Sequence, residues 1–489
     1  MNETYLMPAA VLLPLVGGGL LYALKKLRPG AVPVCTLGVT CLTSILVWLL
    51  ILRGGENALP VLRFAPDLQV VYRLDGLGRF FAGILATLWP LTVLYAMSYM
   101  EGEPRQGSFY CFFTLSYAVS LGVAMAGNLF TLYFNYEMLT LATMPLVLHS
   151  MTRQAVKATR TYLLFSLGGA AFAFASMIFL IANGAGGSFT FGGLLTAAPY
   201  GKPWITRIFF VLGFFGFGVK AAVFPLHVWL PKASVAPTPV TALLHAVAVV
   251  KAGAFAVMRL TWFCYGPELL RGTWAQWLPL SIAAFTVVYG SVMAIRQPHL
   301  KRRLAYSTVS NLSYILVGVL LMTPAGLAAG LTHMAAHACI KILAFFCAGA
   351  ILRRAGVQYN AELSGLGRKM PVTLGTFTVS ALALTGIPLF SGFVSKWQLL
   401  TAAADAANPM AYVSAGALLL SALLTAIYML TPAARAWFPG KDRSPEAPGP
   451  VREADWRMTA PHLILALGCI VFGCWSQPIL EAAARIAGL

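Results

Sequence analysis

Residues 214–260 read FFGFGVKAAVFPLHVWLPKASVAPTPVTALLHAVAVVKAGAFAVMRL. Two apolar segments are joined here, and each holds one lysine: Lys220 in the first, Lys251 in the second. Pro225 and Pro231 interrupt the first segment near its end, and Pro237 and Pro239 open the second. An ammonium at the centre of a lipid-embedded helix costs ~2.5–3.5 kcal/mol on insertion scales. Such residues face a bundle interior or water and mark ion paths. Proline-broken backbone at that depth is tolerated only where protein or a wet cavity surrounds it. The stretch therefore predicts a polar interior within a membrane bundle, with Pro225 and Pro231 as helix breakers.

Outward from there the composition agrees. Of 489 residues, 59% are hydrophobic and 10% charged, and the mean hydropathy is +0.78. A soluble domain carries about 25% charged residues, so an all-α polytopic membrane protein is the class that fits. The formal charge of +19 comes from Lys and Arg in short loops between apolar spans. The positive-inside rule accounts for them without a nucleic-acid partner. The eight cysteines form no CxxC and no metal spacing, and most lie in spans, where a thiol packs as a small apolar group. Neither a metal nor a cofactor is expected.

Apolar windows of about 20 residues predict about fourteen transmembrane helices: 5–24, 31–52, 80–99, 108–126, 128–149, 155–183, 206–229, 238–263, 275–295, 303–323, 325–352, 371–402, 409–437 and 459–478. Met1–Thr4 carries no basic run, so the apolar stretch after it reads as the first span rather than a cleavable leader. Residues 53–79 alternate in part (Val61, Phe64, Leu68, Val70, Tyr72), which predicts a hairpin. Residues 438–458, rich in Pro, Gly and charge, read as an exposed loop. With the N-terminus outside, the odd-numbered loops hold 21 of the 34 Lys and Arg and the even-numbered loops and tails hold 9. That bias places both termini on the non-cytoplasmic side.

Four lysines remain, all within spans: Lys220, Lys251, Lys341 and Lys396. Of fifteen acidic residues, only Glu137 is assigned to a span, and an intramembrane carboxylate marks a functional site. Its simplest partner is one of these lysines; a protonated, hydrogen-bonded core glutamate is the plainer reading. His333, His337 and Lys341 recur at i, i+4 and i+8 and share a helical face. Imidazoles titrate near neutral pH, so the stripe could relay protons. As a zinc site it lacks a third ligand, and packing histidines remain the plainer alternative. Lys396 follows Gly386, Pro388 and Gly392, a second broken span with a lysine inside. Two broken spans in corresponding positions point to inverted repeats with a site at the midplane: spans 4–8 and 9–13, with helices 7 and 12 broken. His227, beside Pro225, and His245, ahead of Lys251, are auxiliary candidates. Four regions follow: 1–107 with spans 1–3 and the polar loop 53–79, repeats 108–264 and 265–437, and 438–489 with a cytoplasmic loop and span 14.

At these residues, above all KAAVFPLHVWLPKASVAPTPVTALLHAVAVVKAG, the chain resembles the antiporter-like subunits of respiratory complex I, of Mrp-type sodium/proton antiporters and of membrane-bound hydrogenases. The likeness covers spans four to thirteen. It implies a fold of two inverted five-helix repeats. Glu137 then matches the family's helix-five glutamate, Lys220 its helix-seven lysine and Lys251 the helix-eight lysine. His337 and Lys341 match polar positions of helix eleven, and Lys396 the helix-twelve lysine. His227, His245 and His333 are auxiliary. The smaller, D/M/N-like class of subunit is implied, since no lateral helix follows span fourteen. The implied function is proton translocation, or proton/sodium antiport, in a prokaryotic inner membrane. Partners would be the other membrane subunits of such an assembly. No residue set suits a flavin, haem or iron–sulfur cluster, so electron transfer and the energy it releases would lie in those partners. The alternative is a stand-alone carrier of a small organic anion, with the lysines as counter-charges.

Overall fold

The computed structural model describes residues 3–65, 68–195, 197–438 and 451–489. Nineteen α-helices follow in chain order among them: α1 (Glu3–Leu27), α2 (Val32–Arg53), α3 (Gly76–Tyr99), α4 (Gln106–Ala124), α5 (Leu129–Val147), α6 (Arg153–Ala182), α7 (Pro203–Gly218), α8 (Trp229–Ala233), α9 (Thr238–Ala246) and α10 (Val249–Arg259). Then come α11 (Pro267–Leu270), α12 (Trp274–Arg296), α13 (Leu300–Leu320), α14 (Pro324–Ala355), α15 (Pro371–Thr385), α16 (Ser391–Asp405), α17 (Pro409–Trp437), α18 (Trp456–Cys474) and α19 (Gln477–Ala487). Among the described residues ten helical stretches are long and apolar enough to cross a membrane by length and composition. Of the fourteen expected spans, ten coincide with these stretches; α5 and α13 are helical but not among them, and α7 and α15 are shorter apolar helices. Breaks cut them below spanning length.

Helix starts follow side-chain chemistry. Asp75, Asn128, Thr152, Thr323 and Asn408 each accept a backbone N–H from the first turn that follows. That satisfies donors the helix leaves orphaned. The hairpin expected in 53–79 is present: β1 (Leu59–Ala65) pairs antiparallel with β2 (Leu68–Tyr72). It packs on the start of α5, where the Val71 N–H donates to Thr131 Oγ1 at 2.8 Å.

Loops alternate between two faces. On one face Lys25 reaches Ser108, Arg105 reaches the His149 carbonyl, Lys301 the Ala236 carbonyl and Asn360 the Pro298 carbonyl. On the other the hairpin bridges to Ala126, and Asn128 to Ser188. Leu194 there bonds to Cys264, and Arg271 to the Met322 carbonyl. The first is called the basic face below and the second the hairpin face. Of the exposed loop expected at 438–458, residues 439–450 lie outside the described residues.

α14 is the hub. It packs against α3, α9, α13, α15, α16, α18 and α19. The membrane-spanning window of 238–265 is wholly buried, whereas only a third of the corresponding windows on α2 and α17 is buried. The polar interior read from residues 214–260 therefore sits at the centre of the bundle.

Three details differ from the expectation. Pro231 breaks nothing: it lies inside α8, behind a 3-10 turn at Leu226–Val228. Its missing N–H belongs to a first turn, where no intrahelical bond is lost. Span eight is broken as well, at Val247 and Ala248 between α9 and α10. The Ala248 N–H there bonds to the Leu243 carbonyl, five residues back, at 2.9 Å. Such wide turns are frequent at functional sites, and no glycine or proline announces this one. Arg259, counted with a loop, is instead wholly buried at the end of α10.

Candidate functional site

The break after α7 presents Lys220. Its ammonium donates to the Tyr136 carbonyl and lies 3.4 Å from the centre of the Tyr136 ring. Glu137 Oε1 stands 3.7 Å away. That separation is an ion pair rather than a hydrogen bond, and Oε1 has no hydrogen-bond partner. Lys220 is wholly buried, while the Glu137 side chain keeps 20% of its surface. Tyr136 is itself held by its hydroxyl, which donates to the Phe217 carbonyl at 2.8 Å.

Lys220 comes close to α10 because residue 253 is glycine. A Cβ there would strike the Ala221 nitrogen and lie 2.7 Å from the Lys220 carbonyl carbon. Gly253→Ala is expected to cost about 1–3 kcal/mol through overpacking, read as a lowered thermal unfolding midpoint of the purified protein. An unchanged midpoint would mean that the break moves aside freely.

Lys251 occupies the first turn of α10, beyond the wide turn. Its Nζ is 2.6 Å from His337 Nδ1 on α14. An ammonium donating to a neutral imidazole, or an Nδ1–H donating to a neutral amine, satisfies this contact equally well. His337 Nε2 has no hydrogen-bond partner. The His337 ring stacks 5.9 Å from that of His333, one turn back. His333 Nδ1 in turn meets Ser395 Oγ at 3.0 Å, and its ring stacks on Tyr314 at 5.2 Å.

Ser395 is the neighbour of Lys396 on α16. The Lys396 ammonium caps the carbonyls of Leu384 and Thr385 at 2.7 and 3.1 Å, the last of α15, and lies 5.4 Å from the Tyr314 ring. The gap between α15 and α16 is opened by Gly386 (φ 92°) and Leu389 (φ 77°) around Pro388. Gly386 relieves the strain of the first of these left-handed positions. Lys341 turns toward α13, where it bonds Ser307 Oγ and, at 3.2 Å, the Leu304 carbonyl.

The structure thus brings Lys251, His337, His333 and Lys396 into one succession, with Glu137 and Lys220 as a pair at one end and Lys341 beside it. His227 lies apart, its ring among Phe224, Tyr289 and Tyr306. His245 is wholly buried with both ring nitrogens unpartnered. Sequence reasoning missed four polar residues, three of them buried. Lys301, counted in a basic loop, is buried on α13 and bonds the Ala236 carbonyl at 2.9 Å. His462 on α18 is buried. Asp75 and Arg259 form a bidentate pair at 2.5 and 2.5 Å. Among the described residues no group of three or more His, Cys, Asp or Glu could hold a metal ion, and all eight cysteines are free thiols.

Comparison with known proteins places this architecture. Residues 126–425 match the family model described as NADH:quinone oxidoreductase/Mrp antiporter, TM. NADH-quinone oxidoreductase subunit N of Desulforudis audaxviator (strain MP104C) is 33% identical over 475 residues, 94% of this chain and 91% of that protein. Na(+)/H(+) antiporter subunit A1 of Staphylococcus haemolyticus (strain JCSC1435) is 29% identical over 469 residues, and there the match spans only 57% of the relative's length. Two solved assemblies share the fold along the whole chain. One is an archaeal membrane-bound sulfane sulfur reductase, with a TM-score of 0.87 at 24% identity. The other is the Mrp complex of Dietzia sp. DQ12-45-1b, with a TM-score of 0.86 at 23% identity. Each of these relatives is one subunit of a multisubunit membrane complex. On the extent of the family match and the identity to subunit N, this chain is a multi-pass membrane protein of the NADH:quinone oxidoreductase/Mrp antiporter transmembrane family.

Proposed function

We infer that the chain is a proton-translocating subunit of a complex I-related assembly in a prokaryotic inner membrane. Protons move along Glu137, Lys220, Lys251, His337, Lys341 and Lys396, with His333 between the last helices. Sodium exchange is the form the same row takes in an antiporter assembly. The observation that carries this reading is the Lys251–His337 contact at 2.6 Å, two titratable groups within hydrogen-bond reach of each other inside a membrane bundle. Lys220, Lys251, Lys341 and His337 have no exposed surface, which suits a proton and offers no open face to an organic anion.

The switch in this reading is the Glu137–Lys220 pair. At 3.7 Å and an effective dielectric constant of about 20, the attraction is about 4 kcal/mol, small enough for a neighbouring subunit to break. Burial favours the neutral amine and a carboxylate favours the ammonium. Withdrawing Glu137 therefore sends the Lys220 proton toward Lys251. Ordered water would bridge the steps longer than one hydrogen bond. The broken segments after α7 and α15 hold corresponding places in regions 108–264 and 265–437, read as the two inverted repeats of a fourteen-span chain. They follow region 1–107 and precede 438–489. The basic bias puts both termini on the non-cytoplasmic side.

Glu137→Ala and Lys220→Ala in the assembled complex are each expected to reduce proton transport by about 10²-fold, the usual worth of a positioned proton-transfer group. Transport into membrane vesicles is the measurement. Wild-type stoichiometry in both variants would remove the pair from the path.

A further inference from the structure

A row of proton carriers needs a mouth, and Lys220, Lys251, Lys341 and His337 have no exposed surface. On the basic face a cavity of about 170 Å³ is lined by Ser98, Glu101, Arg353 and Arg354. Tyr99, next to Ser98, is nearly buried, and its hydroxyl accepts from Thr238 Oγ1 at 3.1 Å. Thr238 opens α9, and His245 lies two turns further along the same face of that helix. One turn deeper on α3, the Tyr95 ring stacks 5.9 Å from Tyr99, and its hydroxyl donates to the Phe346 carbonyl at 2.9 Å. The seam exists because α14 carries glycine at 349: a Cβ there would lie 2.7 Å from Thr238 Cβ and strike the Tyr95 hydroxyl.

At the deep end His245 packs its ring 5.1 Å from Phe345, with neither nitrogen hydrogen-bonded. On the other flank of α14, His462 lies 5.9 Å from the Tyr95 ring, and its two nitrogens are likewise unpartnered. A buried polar atom without a partner costs about 1–3 kcal/mol, and such atoms in native structures call for an explanation. Two wholly buried imidazoles beside one polar seam have that explanation if protons or water pass there.

We propose that the seam between α3, α9 and α14 is the proton inlet from the basic face. It runs from the Ser98, Glu101, Arg353 and Arg354 cavity past Tyr99 and Thr238 to His245. Thr238 donates to Tyr99 at rest, so both hydroxyls must first turn until Tyr99 donates to Thr238. Each then accepts a proton on a lone pair and releases its own inward, with ordered water between Thr238 and His245. One proton moves and no other bond changes. His245 takes the proton at one ring nitrogen and returns one from the other. Lys341, Lys301 and Lys251 are the charged groups acting on His245, and Glu103 and Arg353 those acting on Tyr99. The lysine row is the receiver of the proton in this inlet, which rests on the proton-translocating reading above.

The test is Thr238→Val, which keeps the shape and removes the hydroxyl, in the assembled complex. Proton uptake from the basic side is expected to slow about tenfold. The loss should be largest at alkaline pH on that side, where protons are scarce and entry limits the rate. A purely structural role would lower assembly instead and leave the pH profile of the assembled fraction unchanged. Tyr99→Phe keeps the ring and its stacking and serves if Thr238→Val does not assemble. Lys220→Ala is measured alongside. If it abolishes transport while both seam variants keep the wild-type rate and pH profile, the inlet is wrong and the function stands. If Lys220→Ala also transports normally, the function itself fails.

Discussion

Asp75→Asn is expected to destabilise the protein by about 3–5 kcal/mol, the cost of stranding a buried charge. Arg259 has no exposed surface, and both of its terminal nitrogens bond the Asp75 carboxylate, at 2.5 and 2.5 Å. Around it lie the rings of Phe189, Phe255 and Phe263, with centres 4.7, 5.0 and 4.7 Å from the guanidinium carbon. Asparagine keeps the other task of Asp75, which is to accept the Gly78 N–H at 2.9 Å and cap α3, because Asn and Asp cap equally well. The variant therefore removes the charge alone. The double variant Asp75→Asn/Arg259→Met should recover most of the loss, since replacing both ions by neutral groups is often neutral or better. Thermal unfolding midpoints of the purified protein read both. A single-variant loss below about 1 kcal/mol, as for an exposed pair, would show that the pair contributes nothing. Burial opposes ionisation of Asp75, but Arg259, helped by the Gly78 N–H and Arg73, outweighs it and holds the carboxyl below its ordinary value. A lowered folded value means the stabilisation is complete above the unfolded carboxyl range near about pH 4. It is lost as pH falls through the lower folded value, so wild type and variant should converge only in strong acid.

That pair also marks where sequence reading runs out. A lysine inside an apolar stretch announces itself, because lipid makes it expensive. Lys220, Lys251, Lys341, Lys396 and Glu137 were legible for that reason. Breaks after α7 and α15 were legible because Pro225 and Pro388 disrupt a helix and Gly386 readily leaves one. The break at Val247 and Ala248 was not, since the wide turn is built from ordinary apolar residues and held by packing. Pro231 misled because a proline in a first turn looks the same in sequence as one in a helix interior. Asp75 and Arg259 are 184 residues apart; Asp75 sits beside a loop and Arg259 near the end of its span, and nothing local distinguishes a buried ion pair from two solvated ends. Lys301 was absorbed into a basic loop count for the same reason. Buried polar groups in membrane bundles are therefore readable one at a time from hydropathy. Their partners become readable only when helices are placed.

Lys396→Arg is expected to assemble normally and to lose about 10²-fold in proton transport. Lys396 has two readings that alanine cannot separate. Its ammonium caps the free carbonyls of Leu384 and Thr385, where a cation at a helix C-terminus stabilises the helix by about 0.3–1 kcal/mol. It also stands near the Tyr314 ring and beside Ser395, which carries the succession on from His333. Alanine removes the cap and the titratable group together. Arginine keeps the positive charge and several donors for the same two carbonyls, but it does not release its proton in proteins. If Lys396 is a cap, or a fixed counter-charge for an anion, arginine serves and transport persists. If it must give up and regain a proton in each cycle, arginine blocks the row as firmly as alanine while leaving α15 and α16 in place. The measurement is proton uptake per assembled complex, with assembly scored by co-purification of the neighbouring subunits. Transport at the wild-type rate with arginine at 396 would end the proton path at His333 and leave Lys396 a structural residue.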